Sequence, residues 1–378
     1  ARWVVCAIVG TLAACATPPR PEAPSTPGTS TAPQSQPAPD PNGPLPPALS
    51  RARSQWVPVR WSELPDWGAD ALHEAWNAWL RSCERPAPAI GQLCTEVRQL
   101  SIASAQEQRA FLERRLQPYR ITATDGNANG LLTGYYEPLL RASRSPSAEF
   151  AWPLYRLPAA LRGGAQTWFT RQEIATLPQA QAALQGQEIA WLADPIDLML
   201  LHIQGSGRLQ FAQAGGTTQT VRVAFAGTNG QPYRSINAWL QQQGVSTSPW
   251  PEATRAWARN NPQRVNELLW SNPRYVFFRE EALSDFDARF GPRGAQGVAL
   301  TPGRSIAVDP GSIPYGTPVW LSTQGPAGRF SRLVMAQDTG SAIVGAVRAD
   351  FFTGWGDEAL ARAAVLNQPL QLWALWPR

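Results

Sequence analysis

The chain has 378 residues, 36 prolines and a formal net charge of +5, and 43% of its residues are hydrophobic. This fraction is enough to bury a sizeable core, so a wholly disordered protein is excluded, and the length suggests two domains. All 33 basic residues are arginine, which excludes lysine chemistry such as a Schiff base, whereas the charge fits nucleic acid, anionic lipid or the carboxylate-bearing peptides of a cell wall.

The N-terminal residues have the pattern of a bacterial lipoprotein signal. Arg2 is followed by an apolar run over residues 3–12 and then by the sequence Leu-Ala-Ala-Cys, which ends at Cys15. The run is too short for a membrane-spanning helix, which needs about 20 residues, so residues 1–14 are interpreted as a cleaved signal peptide. Leu-Ala-Ala-Cys resembles a lipobox, which implies acylation of Cys15; the alternative is an ordinary signal peptide with an unmodified cysteine. Ala16 then favours sorting to the outer membrane.

Residues 15–60 are assigned to the lipidated cysteine and a proline-rich tether. Twelve of the 36 prolines lie between Pro18 and Pro47. Such a segment buries too little apolar surface to offset its ordering entropy, so it is expected to be extended and to give an anchored domain reach. No later segment has an uninterrupted apolar run of about 18 residues, so no transmembrane helix is predicted.

Two cysteines remain once the signal peptide and the lipidated residue are set aside. Cys83 and Cys94 are 11 positions apart, and in an exported protein this pair favours a disulfide. The only histidines, His73 and His202, have no ligand spacing to the cysteines, so no metal site is predicted. His202 stands in an apolar run and is interpreted as a buried core residue.

The folded part begins with a helical pattern and becomes rich in strands towards its C-terminus. Apolar residues recur at helical spacing from residue 61 to about 119, and residues 131–138 are typical of a short strand. Further helices are predicted at 236–240 and 252–269. From Tyr275 onward the apolar runs are short and bounded by glycine and proline, which favours a compact β-barrel over a βαβ sheet.

Three aspartates stand out in this strand-rich region. Asp309, Asp338 and Asp350 lie at or near the ends of apolar runs, which predicts carboxylates at strand ends, where functional groups often concentrate. The simpler interpretation is that each aspartate caps a turn by accepting hydrogen bonds from nearby N–H groups. Asp338 also begins an Asp-Thr-Gly-Ser sequence, as in aspartic proteases. An aspartic protease needs two such aspartates, each from an equivalent lobe or subunit. The only candidate partner, Asp309, is followed by proline and lies 29 residues away, too close for a separate lobe, so a protease is disfavoured.

Six segments carry the most distinctive sequence. They are 133–138 (TGYYEP), 202–207 (HIQGSG), 272–278 (NPRYVFF), 307–317 (AVDPGSIPYGT), 337–343 (QDTGSAI) and 348–352 (RADFF). Together they resemble the membrane-bound lytic murein transglycosylase A (MltA) family, with its C-terminal 3D domain named for three aspartates. The resemblance extends from about residue 60 to 378, and it departs from the family pattern at Ser341, where a second glycine is usual.

The resemblance implies a fold that is mainly β with N-terminal helices. It consists of a double-ψ β-barrel domain and a smaller inserted β domain, with a groove for the glycan strand between them. On this sequence the barrel domain is expected to be discontinuous, comprising residues 61–151 and 269–378. The inserted domain is expected at 152–268.

The resemblance also implies the chemistry. A lytic transglycosylase cleaves the β-1,4 bond between MurNAc and GlcNAc in peptidoglycan and forms a 1,6-anhydroMurNAc end without consuming water. By the family motif, Asp350 and Asp338 are the catalytic residues. Asp350 is the acid that protonates the bridging oxygen and then the base that accepts the 6-hydroxyl proton, and Asp338 is its like-charged neighbour. Because free aspartic acid has a pKa of about 3.9, Asp350 must be desolvated or near a like charge to keep its proton. Asp309 is a supporting or structural residue.

The same motifs supply candidate substrate-binding groups. Tyr135 and Tyr136 are expected to offer aromatic faces to sugar rings. The alternative for each tyrosine is that its ring packs in the core. Thr133, Gln204 and Ser206 are expected to form hydrogen bonds with sugar hydroxyls.

Two other functions are compatible with the sequence. A muramidase-type hydrolase needs an activated water and a second working carboxylate, and a wall-binding lipoprotein needs no catalysis at all. The expected partners are peptidoglycan glycan strands, the outer membrane through the lipid anchor, and a wall-remodelling complex, with no nucleic acid and no cofactor. The expected location is the periplasmic face of the outer membrane.

Overall fold

The computed structural model describes residue 40 and residues 43–162 and 167–378. The predictions of a signal peptide at 1–14 and of lipidation at Cys15 lie outside the described residues. Within these ranges, no helix is both long and apolar enough to cross a membrane.

Strands dominate the described chain. They are β1 Leu49–Ser50, β2 Gln55–Pro58, β3 Leu116–Thr122, β4 Gly130–Glu137, β5 Leu139–Ser143, β6 Trp152–Tyr155, β7 Glu188–Leu192, β8 Ser206–Ala212, β9 Thr218–Thr228, β10 Val276–Glu281, β11 Ser305–Val308, β12 Pro318–Gly325, β13 Gly328–Asp338, β14 Arg348–Trp355 and β15 Asn367–Pro377. The helices are α1 Leu72–Ser82, α2 Pro88–Gly91, α3 Cys94–Gln99, α4 Ala105–Arg115, α5 Arg171–Thr176, α6 Pro178–Leu184, α7 Pro195–Gln204, α8 Ile236–Gln242, α9 Glu252–Asn260, α10 Val265–Trp270 and α11 Gly356–Ala364.

The first sheet closes on itself. Its strand order is β1-β2-β3-β15-β12-β13-β11-β14-β4, and β4 also pairs with β15, so six strands form a closed ring. The β11–β13 and β14–β4 pairs are parallel, and the other pairs of the ring are antiparallel. The predicted compact barrel is therefore present, and it brings together strands that lie far apart in sequence.

The alternation of side chains along these strands explains how the sheet is buried on both faces. In β12, Val319 and Leu321 pack in one core cluster, whereas Trp320 between them packs with Trp76 and Trp79 of α1 in another. Successive side chains of a strand point to opposite faces, so a continuous apolar run is required where helices cover the second face. The N-terminal helices predicted from the sequence thus cover one face of the sheet.

The end of the predicted tether belongs to this sheet. The sequence predicts a tether up to residue 60, but β2 pairs with β3, and Trp56 within β2 is fully buried. The indole Nε1 of Trp56 donates a hydrogen bond to the carbonyl oxygen of Ser312, 256 positions later. This burial stabilises the segment against the sheet, so a tether over residues 15–60 is wrong for the residues in β1 and β2.

The second sheet contains six strands in the order β10-β9-β8-β5-β7-β6. It begins at Leu139 and ends at Glu281, so it includes two strands outside the predicted insert at 152–268. Strand β5 follows β4 after a single residue, Pro138, which places the start of the second sheet next to the end of a ring strand. Helices α8, α9 and α10 lie in the two regions where the sequence predicts helices.

Cys83 and Cys94 are joined by a disulfide. Both cysteines are buried in the cluster that also contains the helical tryptophans Trp76 and Trp79. The bond therefore connects the end of α1 to the start of α3 beside the first sheet.

Candidate active site

The strand register of the first sheet aligns the residues singled out in the sequence. Ala307 of β11 is paired with Asp338 on one side and with Asp350 on the other, and Asp350 is paired in turn with Thr133 of β4. Neighbouring strands lie about 4.8 Å apart, so the two aspartates are separated by about 10 Å at their Cα atoms. The structure thus brings Asp338, Asp350 and Thr133 to one part of the barrel.

Asp350 is half-buried and held at one oxygen only. The Thr133 hydroxyl donates a hydrogen bond of 2.7 Å to Oδ1 of Asp350, and Thr133 Oγ1 in turn accepts a 2.8 Å hydrogen bond from Nη2 of Arg348. No described residue forms a hydrogen bond with Oδ2 of Asp350. The carboxyl group is therefore oriented by the Arg348–Thr133 chain while one oxygen stays available for a substrate.

Burial raises the pKa of Asp350 to about 6, far above the usual range of an aspartic acid. The Thr133 hydrogen bond and the Arg348 charge act in the opposite direction because both stabilise the ionised form, whereas the nearby Asp338 charge raises the pKa further. The desolvation predicted from the sequence is thus the main cause of the shift, and the like charge of Asp338 is a minor one. With this pKa about half of the Asp350 carboxyl groups are protonated at pH 6 and about a tenth at pH 7, so an acid form is available for proton donation.

Asp338 is held at both of its oxygens. The Tyr135 hydroxyl donates to Oδ2 at 2.9 Å, and the Ala295 backbone N–H donates to Oδ1 at 3.0 Å. Burial raises the pKa of Asp338, and these hydrogen bonds oppose the shift. Tyr135 packs against Phe352 with ring centroids 5.2 Å apart, so its ring and its hydroxyl are both engaged by neighbouring residues.

Gly134 explains why this motif needs a residue without a side chain between Thr133 and Tyr135. A Cβ at this position would lie 2.7 Å from the Cα of Ala363 in α11, closer than real Cβ atoms approach other atoms. Helix α11 therefore packs directly on the backbone of β4, and this contact positions the strand that carries both side chains.

The sequence also places Tyr136 in the substrate-binding set, but the structure places its ring in the core. The residue is 3% exposed and packs with Leu200, Ala359 and Ala363. Because strand side chains alternate, Tyr136 points to the face opposite Tyr135. An aromatic face for sugars is therefore not available at Tyr136, and core packing, the alternative considered for it, is what the structure shows.

The two polar residues of the 202–207 motif are not equivalent. Gln204 is half-buried, and its Oε1 accepts a hydrogen bond from the backbone N–H of Tyr136 at 3.0 Å, which ties the end of α7 to β4. Ser206 is 5% exposed and lies in β8 opposite Ala224. Gln204 thus contacts β4, the strand that carries Thr133, whereas Ser206 is buried within the second sheet.

His202 is buried, as the sequence predicts. Its Nδ1 accepts a 2.9 Å hydrogen bond from Nη2 of Arg171, and its ring packs against Tyr275 and Phe278. Burial, together with the Arg171 charge, lowers the pKa of His202 well below its usual value, so the ring is neutral.

A buried charge cluster near the site was missed in the sequence analysis. Glu137, the last residue of β4, is fully buried and accepts hydrogen bonds from Arg222 Nε at 2.8 Å and from Arg208 Nε at 3.2 Å. The Arg208 guanidinium also lies 3.8 Å from the ring centroid of Trp355. The cluster connects the first sheet to β8 and β9 of the second. The available signal was an arginine beside apolar residues in each of the two strands, because a buried arginine requires an acid nearby.

Asp309 is 5% exposed, and its carboxylate is bound by two backbone N–H groups and one arginine. Its Oδ1 accepts from the Gly311 N–H, and its Oδ2 accepts from the Gly345 N–H, both at 2.9 Å, while Arg53 forms an ion pair with it at 3.3 Å. The carboxylate therefore links the turn after β11 to the loop before β14, which is the turn-capping alternative considered for each aspartate.

We expect Asp309→Ala to lower the free energy of unfolding by about 1–3 kcal/mol, because two partly buried N–H groups lose their acceptor. Urea unfolding followed by circular dichroism measures this loss, and Asp309→Asn, which keeps one acceptor oxygen, should lose less. Any activity that depends on Asp350 should be unchanged per folded molecule. A variant that folds with wild-type stability but cannot cleave would assign Asp309 to the chemistry instead.

Two family models match the chain over the segments that form these features. The MltA specific insert domain matches residues 131–279, and the 3D domain matches residues 304–376. The membrane-bound lytic murein transglycosylase A of Escherichia coli K12 is 31% identical over 272 residues, which is 69% of this chain and 69% of that protein.

The chain belongs to the membrane-bound lytic murein transglycosylase A family.

Solved structures of this family agree with the assignment. The lytic transglycosylase LtgG of Burkholderia pseudomallei is 41% identical, with a TM-score of 0.59, and the match covers 89% of this chain and 98% of that one. MltA of Neisseria gonorrhoeae is 28% identical, with a TM-score of 0.71 and coverage of 90% and 95%. The prediction of a mainly β fold with helices in this family is confirmed.

Proposed function

We propose that this protein is a lytic transglycosylase that cleaves the MurNAc–GlcNAc β-1,4 bond of peptidoglycan, with Asp350 as the single acid–base group. The observation that carries the proposal is the environment of this carboxyl group. It is desolvated enough to have a pKa of about 6, it is oriented through one oxygen by Thr133, and its other oxygen has no partner among the described residues. Its relatives are named lytic transglycosylases, which supports the same reaction.

The reaction uses one carboxyl group twice, first as an acid and then as a base. Protonated Asp350 donates its proton to the bridging oxygen as the bond from that oxygen to the MurNAc anomeric carbon breaks. The MurNAc 6-hydroxyl oxygen then forms a bond to the same anomeric carbon. The proton of this hydroxyl passes to the Asp350 carboxylate. The products are a 1,6-anhydroMurNAc end and a GlcNAc with a free 4-hydroxyl. Atoms balance without water, and the acid is regenerated.

Asp338 is assigned a supporting role in this proposal. Both of its oxygens already accept hydrogen bonds, from Tyr135 and from the Ala295 backbone, so it is poorly placed to activate a water as a hydrolase requires. Its charge also raises the pKa of Asp350. Of the predicted binding residues, Thr133, Tyr135 and Gln204 form hydrogen bonds at this end of β4.

The proposal extends to the architecture and location of the protein, and membership of the family supports it. The closed sheet is a double-ψ β-barrel, and the second sheet belongs to the inserted domain, with the glycan strand bound in a groove between them. The barrel residues come from both sides of the insert in sequence. Lipidation at Cys15 anchors the protein to the outer membrane, facing the periplasm, where peptidoglycan and a wall-remodelling complex are accessible.

Because the acid must be protonated to react, cleavage should decrease as the pH rises through about 6, the pKa of Asp350. We expect Thr133→Val to shift this decrease to higher pH, since loss of the hydroxyl donor destabilises the ionised carboxylate and raises the pKa of Asp350. Thr133→Ser, which keeps a hydroxyl, should retain the wild-type profile. The measurement is kcat against pH between about pH 5 and 8. An unchanged profile in Thr133→Val would contradict the assignment of the titrating group.

The experiment that tests the function is an analysis of sugar ends after digestion of purified murein. The digest is treated with borohydride, which reduces ordinary reducing ends and leaves anhydro ends unchanged, and the fragments are then separated and identified by mass. Anhydro ends are expected. Reducible ends would indicate a muramidase-type hydrolase, and no cleavage at all would indicate a wall-binding protein.

A further inference from the structure

A cavity lies on the side of the second sheet and has no role in the chemistry above. Its volume is about 640 Å³, within the range of about 300–1,000 Å³ for small-ligand sites, and all of its lining residues fall between Ala151 and Tyr275. It lies at the edge strand β6 and is enclosed by residues of α5, α6 and α10. The cavity is therefore separate in sequence from Asp350, Asp338 and Thr133.

Arg171 is the one cation among the lining residues, and it is 5% exposed. Its Nε donates to the carbonyl oxygen of Asn272, and its Nη2 donates to the carbonyl oxygen of Arg274 and to Nδ1 of His202. Nη1 has no hydrogen-bond partner among the residues that the structure describes. Part of the guanidinium donor capacity is thus unused at the cavity.

The charge of Arg171 has no anionic partner in the described chain, although its guanidinium carbon lies 4.9 Å from the ring centroid of Tyr275. No carboxylate of the described chain forms an ion pair with it, and its three hydrogen-bond acceptors are two carbonyl oxygens and a neutral imidazole. Burial lowers the pKa of Arg171 to about 10. A buried cation is normally paired with an anion, and the other buried arginines Arg208, Arg222 and Arg304 all have one.

The remaining walls of the cavity suit a peptide. Glu188 contributes a half-buried carboxylate that has no ion pair among the described residues. The cavity is therefore lined by one cationic residue, Arg171, and one anionic residue, Glu188. Trp152, Tyr155 and Trp270 supply aromatic surfaces, and Gln185 supplies an amide. Carboxylates form strong, bidentate hydrogen bonds with guanidinium groups, and a carboxylate oxygen such as that of Glu188 accepts from an ammonium group.

We infer that this cavity binds a short peptide that carries a free carboxylate and an amino group, with the carboxylate on Nη1 of Arg171. Such peptides are the side branches of the wall polymer, so the inference rests on the proposed function. A neutral glycan segment would leave the Arg171 charge uncompensated, and a nucleic acid would place its phosphates beside Glu188. The cavity would hold the wall strand by its peptide while Asp350 acts on the sugar backbone.

The test measures binding of the murein tetrapeptide to the full chain by isothermal titration calorimetry, with the same peptide amidated at its carboxylates as the comparison. We expect the amidated peptide to bind at least about 10-fold more weakly, because it loses a charge-assisted hydrogen bond. Arg171→Gln should lower the affinity for the free peptide by a similar factor. Because Arg171 also supports the backbone, a second variant is needed that leaves it in place.

Ala182 and Ala183 provide a matched pair of that kind. Both are exposed alanines of α6, but only Ala182 lines the cavity. Ala182→Trp should fill the cavity and lower peptide affinity at least about 10-fold, whereas Ala183→Trp should bind like the wild type. Equal affinity for free and amidated peptide, or wild-type affinity in Ala182→Trp, would overturn the inference.

The same variants separate this inference from the proposed function. Cleavage of peptide-free glycan depends on Asp350 and should be unchanged in Ala182→Trp. A protein that cleaves this glycan but does not bind the tetrapeptide would keep its function and lose the peptide site. A protein that binds the tetrapeptide through Arg171 but cleaves no glycan would keep the site and lose the function.

Discussion

Replacement of Asp350 by asparagine is expected to reduce glycan cleavage by about 10²- to 10⁴-fold, the usual contribution of a positioned acid–base group. Asparagine has nearly the same shape, and its carbonyl oxygen can still accept the Thr133 hydrogen bond, so the strand geometry should persist. What it cannot do is release a proton to the bridging oxygen. The loss should therefore appear in kcat, with substrate affinity little changed.

Two controls make this result specific. Asp357→Asn removes one exposed carboxyl of α11 and should leave cleavage at the wild-type rate. Thermal unfolding of Asp350→Asn should occur no lower than in the wild type, because a desolvated acid has been replaced by a neutral group. Retention of more than about a tenth of the wild-type rate by the folded Asp350→Asn variant would show that another group supplies the proton.

Glu137→Gln is expected to lower the free energy of unfolding by about 3–5 kcal/mol, the range seen when one partner of a buried ion pair is removed. The carboxylate is fully buried between Arg208 and Arg222, whose side chains are 5% and 6% exposed. Glutamine keeps an acceptor oxygen but leaves both guanidinium groups without a carboxylate, although each still donates to the carbonyl oxygen of Phe290. The loss of the counter-charge therefore dominates.

Glu149→Gln is the matched control for this substitution. It breaks the Arg141–Glu149 pair, in which the side chains are 74% and 57% exposed, and exposed pairs contribute about 0–1 kcal/mol. Urea unfolding of the two variants should therefore differ by several kcal/mol in the same experiment. Equal losses would mean that the buried cluster does not hold the two sheets together.

The local elements could be predicted from the sequence because their signals are local. The apolar spacing of residues 61–119 predicts the N-terminal helices, and the short apolar runs after Tyr275 predict β10 and the ring strands β11, β12 and β13. The alternation along β4 could also have shown that Tyr136 faces away from Thr133 and Tyr135. Residues 49–58 were not recognisable as strands because their stability comes from pairing with β3 and from burial of Trp56, not from their own composition.

The candidate site depends on contacts that no local pattern contains. Thr133 and Asp350 are 217 positions apart, and they meet only because β4 and β14 are parallel neighbours in a closed sheet. The resemblance to the family pointed to Asp350, but the orientation of its carboxyl group by Arg348 and Thr133 required the register of the strands. The limits of the second sheet, at Leu139 and Glu281, likewise follow from strand pairing.

The central claim is that Asp350 catalyses an intramolecular transfer in which no water enters the product. Digestion of purified murein in ¹⁸O-labelled water, followed by mass spectrometry of the MurNAc ends, tests it most directly. We predict anhydroMurNAc ends that are lighter than reducing ends by one water and contain no ¹⁸O, and we predict that their formation is lost in Asp350→Asn. Reducing MurNAc ends that carry ¹⁸O from the start of the reaction would contradict the claim and assign the enzyme to the hydrolases.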